Sequence, residues 1–333
     1  MKYKQINGVG QVSKLVFGTA TPALFAAVAE GATHTDKKKA FALLDEVSRA
    51  GINTFDCAAH YGEEIMGEWM EQRGNRSDCI ILSKCAHPNH WRHRVHDFDI
   101  LSDIHDSLKK LKTEYVDIYM LHRDNHETPV SEIVDVLNKL YQEGKIKAFG
   151  GSNWTVERLE EANEYAAKHN LIPFTVSSPN FSLAEQIADP WRCDAKWGDG
   201  CVTKSGPENK QARSWYAAHQ IPVFAYSSLA RGFLSGSFRS DEEEKARTLL
   251  DAPGITGYYC RNNFERLRRC EILAQQKNVS VAQIAMAWIY NQEFEVYAIS
   301  SPVTAEQLKA NAEAMEIVLS KREMQGLALE GEL

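Results

Sequence analysis

Four residues of this sequence could share one proton between them: Asp56, Tyr61, Lys84 and His122. A carbonyl that accepts a hydride becomes an alkoxide and needs a proton. A tyrosine can supply it, although a free phenol holds its proton up to a pH of about 10. An ammonium beside the phenol favours the phenolate and lowers that value. A carboxylate beside the ammonium keeps it charged and oriented. A histidine can hold the carbonyl oxygen against the phenol. Each residue also has an ordinary explanation when taken alone. An Asp at a strand end is often a helix cap, a Lys is usually a solvated surface group, a Tyr is often half-buried packing, and a His inside a barrel is more often core than catalyst. What gives the four weight together is that each lies at or just beyond the end of a short apolar run.

Those runs are the elements that must position them. Short apolar stretches at 15–19, 53–56, 79–84, 116–121, 148–152, 174–177, 222–226 and 296–299 alternate with amphipathic ones. The latter, at 36–50, 65–72, 101–111, 130–142, 156–169, 208–218, 265–276, 281–290 and 304–318, carry helical periodicity. The apolar runs are continuous rather than alternating, which suits parallel strands buried on both faces. Eight such strands separated by helices predict an α/β fold, a (β/α)8 TIM barrel, as a single domain over 1–333. In that architecture active sites form at the C-terminal ends of the strands. There the sequence places Asp56 with His60 and Tyr61, then Lys84, His122-Arg123-Asp124, Ser152-Asn153 and Tyr226-Ser227-Ser228. Long connections are expected after strand six, at about 180–207, and after strand seven, at about 228–262.

The totals fit that picture. The 333 residues are 44% hydrophobic and 25% charged, ordinary for a globular chain, and the net charge of −7 argues against a nucleic-acid or anionic-membrane surface. No apolar run approaches the roughly 20 residues needed to span a bilayer, and the first residues lack the apolar core of a signal peptide. Seven cysteines without a paired spacing are expected to be reduced thiols of a cytoplasmic protein.

Together the motifs Gly51-Ile52-Asn53-Thr54-Phe55-Asp56 with Tyr61-Gly62, Leu82-Ser83-Lys84, Asp117-Ile118-Tyr119-Met120-Leu121-His122-Arg123, the run 144–153 ending in Ser152-Asn153, and Tyr226 to Gly232 resemble the aldo-keto reductase superfamily over roughly 10–318. The resemblance implies an oxidoreductase that moves a hydride between NADP(H) or NAD(H) and a small carbonyl or alcohol substrate. In it Tyr61 is the general acid, Lys84 and Asp56 tune it, and His122 orients the carbonyl. It implies Ser152 and Asn153 on the nicotinamide carboxamide, Tyr226 stacked on its ring, Ser227, Leu229 and Arg231 along the pyrophosphate, and Asn311 at the adenine. Two departures concern the cofactor. Ser178 stands where the family usually has glutamine on the carboxamide. Ser301 and Gln307 fall where NADPH-preferring members place cations for the 2′-phosphate, which leaves the choice between NADPH and NADH open.

Other signals are weaker. Histidines recur every three residues at His87, His90, His93 and His96. Imidazoles suit zinc and similar ions, but Pro88 argues against a regular helix there. No metal is expected, and His87 with Trp91 is read as lining the substrate pocket. Trp191, Cys193, Trp197 and Cys201 mark the connection after strand six without a zinc spacing. Cys57 alternates in face with Asp56 and reads as core. The acidic run 241–245 reads as solvated and mobile. A sugar or polyol is favoured as substrate, given the polar and aromatic residues expected at the mouth. The alternatives are a cofactor-binding regulatory or redox-sensing barrel, and a metal-dependent barrel hydrolase built on the histidines. The oligomeric state is not legible.

Overall fold

The computed structural model describes residues 1–193 and 200–333. The apolar runs do become parallel strands. They are β3 (Leu15–Gly18), β4 (Thr54–Asp56), β5 (Ile80–Cys85), β6 (Val116–Leu121), β7 (Ile146–Ser152), β8 (Val176–Ser178), β9 (Val223–Ala225) and β10 (Val296–Ser300), in a closed barrel of order β10-β3-β4-β5-β6-β7-β8-β9. The chain divides into two units, Met1–Ser177 with Ser301–Ala305, and Ser178–Ser300 with Glu306–Leu333.

In the first unit, β3 to β6 are buried along their whole lengths, as continuous apolar runs require. Helices follow the strands: α1 (Pro22–Val28), α2 (His34–Arg49), α3 (Glu63–Arg73), α4 (Asp97–Leu111), α5 (Val130–Gln142) and α6 (Val156–Lys168). The packing between layers is aromatic and specific. Phe55 of β4 meets Phe17 of β3 edge-on at 6.4 Å and Trp69 of α3 at 5.7 Å, and the Trp69 indole N–H donates to Asp45 of α2 at 2.8 Å. A hairpin that the periodicity did not predict, β1 (Tyr3–Ile6) with β2 (Gly10–Ser13), precedes the barrel. It is bound to the N-terminal end of β4, where Asn53 Oδ1 accepts from the Ser13 amide at 3.0 Å and the Gly51 carbonyl accepts from Tyr3 OH at 2.5 Å. The hairpin therefore caps the end of that strand opposite Asp56. Only Ile6, Val12 and Ser13 of it are buried, which is why alternation was too faint to read.

In the second unit β9 pairs with β10, Val223 opposite Val296, and the rings of Phe224 and Tyr297 stack at 4.7 Å. Phe181 packs on Trp288 and Phe294, at 5.3 and 5.6 Å. The connection after β9 is more ordered than expected. It holds the helices Glu243–Leu249 and Ala252–Tyr258. The acidic run thus enters a helix: Arg239 pairs with Asp241, and Glu243 and Glu244 occupy the first turn, where carboxylates favour the helix dipole. Trp197 of the preceding connection lies outside the described residues. No helix among the described residues is long and apolar enough to cross a membrane.

Candidate active site

The site is built at the end of β4. Beyond Asp56 the chain continues to pair with β5, since the Cys57 amide donates to the Leu82 carbonyl at 2.8 Å and the Ala59 amide to the Lys84 carbonyl at 3.1 Å. It then folds into a tight turn closed by Ala58 and Tyr61, whose backbones exchange bonds of 3.0 and 2.9 Å. Gly62 follows with φ +80°, and a Cβ there would lie 1.9 Å from Thr19 Oγ1. Only glycine meets both conditions. Thr19 in turn donates its hydroxyl to the Asp56 carbonyl at 2.7 Å. Tyr61 is thereby fixed two residues before α3 begins.

The predicted acid–base set comes together there. Lys84 Nζ is bonded to Asp56 Oδ1, donates to the Cys57 carbonyl at 2.9 Å and to Tyr61 OH at 2.8 Å. The phenol donates to Asp56 Oδ2 at 3.3 Å, a long bond that a substrate oxygen can replace. Lys84 and Asp56 are both buried. His122 stands at the end of β6, its amide donating to the Cys85 carbonyl at 2.7 Å, with its ring 6.3 Å from that of Tyr61. Ser152 and Asn153 close β7 beside it. Asn153 has φ +60°, and its side-chain amide donates to the His122 carbonyl at 3.1 Å.

The electrostatics add a contribution that the sequence does not carry. The ammonium of Lys84 favours the phenolate, but burial opposes it. In the structure burial pushes Tyr61 well above its usual value, and the Asp56 carboxylate adds to this. Desolvating a group disfavours its charged form, so the free site holds the proton on the phenol. Burial also raises Asp56, with Lys84 opposing. Burial lowers His122 well below the usual imidazole range, with Lys84 and Arg123 next. Cys57 is fully buried and its thiol is pushed up by burial, in keeping with a core role.

The stretch with four histidines does not act as one group. His87 turns toward the site, its ring 5.0 Å from that of His122 and 4.3 Å from that of His60. Trp91 is 83% exposed and packs edge-on against His90. Asn89 accepts from the Trp91 and Arg92 amides, Arg92 forks onto Asp99 at 2.6 Å for both contacts, and His96 sits at the N-cap of α4 with Nδ1 3.0 Å from Glu132. His60 was noted only as the neighbour of Tyr61; its ring stacks on His122 at 5.2 Å. Two other buried groups were given no role from the sequence, although Arg123 was noted at the end of its apolar run. Arg123 adds positive charge beside His122. Glu63 accepts from Ser83 Oγ at 2.6 Å under β5. Each would need the tertiary fold to be recognised.

The residues expected along the cofactor can be placed as follows. Ser178 ends β8, buried, and its hydroxyl donates to the Phe224 carbonyl at 2.8 Å. Tyr226 follows β9 half-buried and leads into a turn in which Ser227, Ala230 and Arg231 all have left-handed φ, at 56°, 51° and 53°. Such conformations cost roughly 1–3 kcal/mol each and gather at ligand clamps. Leu229 lies in the same turn, half-buried. Arg231 forks onto Asp251 and lies over the Trp191 ring at 4.4 Å. Ser301 donates its hydroxyl to the Gly18 carbonyl at 2.8 Å. Gln307 is exposed, while Asn311 is buried and donates to Ser300 Oγ at 3.0 Å. Lys309, two residues beyond Gln307, is 3.6 Å from Glu313.

Comparison with known proteins agrees with this architecture. The sequence model of the aldo/keto reductase family matches residues 14–328. The chain is 26% identical to an uncharacterized oxidoreductase, YrpG, of Bacillus subtilis, over 96% of this chain and 93% of the relative. It is 27% identical to an NADP(+) aryl-alcohol dehydrogenase of Phanerodontia chrysosporium, over 88% and 76%. The fold matches a crystal structure of a Klebsiella pneumoniae aldo-keto reductase in complex with NADPH, with TM-score 0.67 and 22% identity, over 99% of this chain and 95% of the other. The chain belongs to the aldo/keto reductase family and is an oxidoreductase of that type.

Proposed function

We propose that the chain, working as one domain over 1–333, reduces a small carbonyl compound, or oxidises the corresponding alcohol, with NADP(H) or NAD(H). The observation that carries this is the contact of Lys84 Nζ with Tyr61 OH at 2.8 Å beside the buried Asp56. It couples a phenol that holds its proton to an ammonium able to stabilise the phenolate left behind.

The nicotinamide supplies or takes the hydride when bound. The donors and acceptors of Ser152 and Asn153 suit its carboxamide, with Ser178 as a further hydroxyl. Tyr226 offers a ring face. Arg231 with Ser227 and Leu229 suits the pyrophosphate, and Asn311 the adenine. The chain's own residues do the rest. His122 holds the carbonyl oxygen as a neutral imidazole, because burial keeps its pKa low. Tyr61 exchanges its long bond to Asp56 for one to that oxygen and delivers the proton. Lys84 donates to the phenolate as it forms, and Asp56 keeps Lys84 charged. His87 lines the carbonyl side, and Trp91 offers an exposed ring to a sugar or polyol. With Ser301 and Gln307 in place of cations, NADH and NADPH are expected to bind comparably.

A panel of aldoses, ketoses, polyols and simple aldehydes, assayed in both directions with both cofactors, tests the reading. Turnover of sugars or polyols with either cofactor supports it. Cofactor binding with no turnover of any carbonyl would favour a regulatory barrel instead. A strong preference for NADPH by fluorescence titration would overturn the argument from Ser301 and Gln307.

A further inference from the structure

Three imidazoles reach the same point from three separate segments. His60 comes from the turn beyond β4, His87 from the loop beyond β5, and His122 from the end of β6. One nitrogen from each ring lies within 4.8 Å of the other two. We propose that His60, His87 and His122 form a binding site for a divalent transition metal of the zinc class.

The geometry needs little adjustment. Zinc–imidazole bonds are about 2.0–2.1 Å, so three nitrogens around one tetrahedral ion stand about 3.3 Å apart. Side-chain rotation covers the difference. The hydrogen bonding also leaves the right atoms available. His87 Nδ1 is 2.9 Å from the Pro88 carbonyl, which can only accept. The proton therefore sits on Nδ1, and Nε2 presents its lone pair. A ring nitrogen held by a carbonyl behind it is the usual support of a metal-bound histidine. His122 Nδ1 is buried without a hydrogen-bond partner, so no protein group there commits the ring to one tautomer.

Chemistry selects the ion. Three neutral nitrogens favour zinc, copper, nickel or cobalt over magnesium or calcium, which require oxygen ligands. The rings are neutral at neutral pH because they are desolvated and lie close to one another and to cations; His60 is held down to about 3. Lys84 is paired with Asp56, which limits its repulsion of a dication. Arg123, Lys110 and Arg94 also place positive charge around the rings, and they set the affinity below that of the same three rings without cations beside them. Three protein ligands leave a fourth position open, as in catalytic rather than structural zinc sites. On the reading of the previous section His122 also holds the carbonyl oxygen, so metal and carbonyl would exclude each other. The metal site itself does not depend on that reading.

The test is titration of the chelator-washed full chain with Co2+ alone, followed by its visible ligand-field absorption rather than by turnover. One equivalent should bind with the absorption of a low-coordinate site, and Zn2+ should displace it. His60→Ala and His87→Ala should each weaken binding by at least about 100-fold, the upper end of what losing an outer-shell partner costs. A double variant, His90→Ala with His93→Ala, should bind unchanged, which separates the site from the histidines on the neighbouring loop. Circular dichroism of each variant verifies that it is folded. Absence of the absorption, its survival in either single variant, or its loss in the double variant would overturn the proposal. A failed carbonyl assay with an intact cobalt signal would instead count against the reductase reading alone.

Discussion

The end of β4 and the turn after β9 solve opposite problems. At the end of β4 the groups that would move a proton are already bonded to one another. Lys84 makes three contacts, Asp56 is buried with it, and Tyr61 is pinned by Gly62 and Thr19. In the turn after β9 the backbone is strained at Ser227, Ala230 and Arg231, and the Arg231 guanidinium is engaged with Asp251 and Trp191. The first region is organised before any ligand arrives. The second must exchange partners if Arg231 is to meet an anion. The difference teaches that the end of β4 is pre-organised, as a proton transfer would require, while the turn after β9 holds its guanidinium in an ion pair that another anion could displace.

Changing the first region should cost most. Tyr61→Phe is expected to lower carbonyl reduction by on the order of 10²–10⁴, the usual contribution of a positioned acid, with cofactor binding by fluorescence nearly unchanged. Retained activity would remove Tyr61 from its role. Lys84→Met leaves Asp56 buried and unpaired. It should destabilise the fold by about 3–5 kcal/mol in urea unfolding, and a loss below 1 kcal/mol would mean that the pair is less buried than it stands. In the second region, Asp251→Asn keeps the helix cap but removes the charge that holds Arg231. Cofactor should bind about 2–5-fold more tightly, the worth of one exposed ion pair. Weaker binding would show that Asp251 positions Arg231 rather than competing for it.

The smallest effect is one of pH. His122 has its pKa lowered by burial, so it is neutral from neutral pH down through the ordinary imidazole range. Reduction should therefore show no loss near pH 6.5 on acidification. A limb titrating there would indicate an ordinary, solvated imidazole. The same shift has a sign for stability: a histidine depressed in the folded state binds more protons when unfolded, so it lowers stability as pH falls below the unfolded value. His60, held near 3, acts in the same direction.

Much of this was legible in the sequence, for identifiable reasons. Asp56, Lys84 and His122 each end a continuous apolar run, and parallel strands bring such ends together. The direction of the Tyr61 shift was not legible, because it depends on how much water the fold removes, and a residue string carries no solvent exposure. His60 was passed over because its partners are 27 and 62 positions away in sequence, a distance no local period encodes. The four-histidine period was discounted because of Pro88, and of the four His87 turns to His60 and His122 while His90 packs on Trp91 and His96 meets Glu132. The hairpin at Tyr3–Ser13 was missed because it hides too little apolar surface to leave a pattern.

Gly62 sets a boundary on what can be changed here. On the reading proposed above, a laboratory seeking new substrate range would randomise His87 and Trp91. Thr19 and Gly62 are closed to that, because they fix the turn that carries Tyr61. The missing Cβ at Gly62 and the hydroxyl at Thr19 occupy the same small space, so a library that varies either one would mostly sample displaced phenols rather than new specificities.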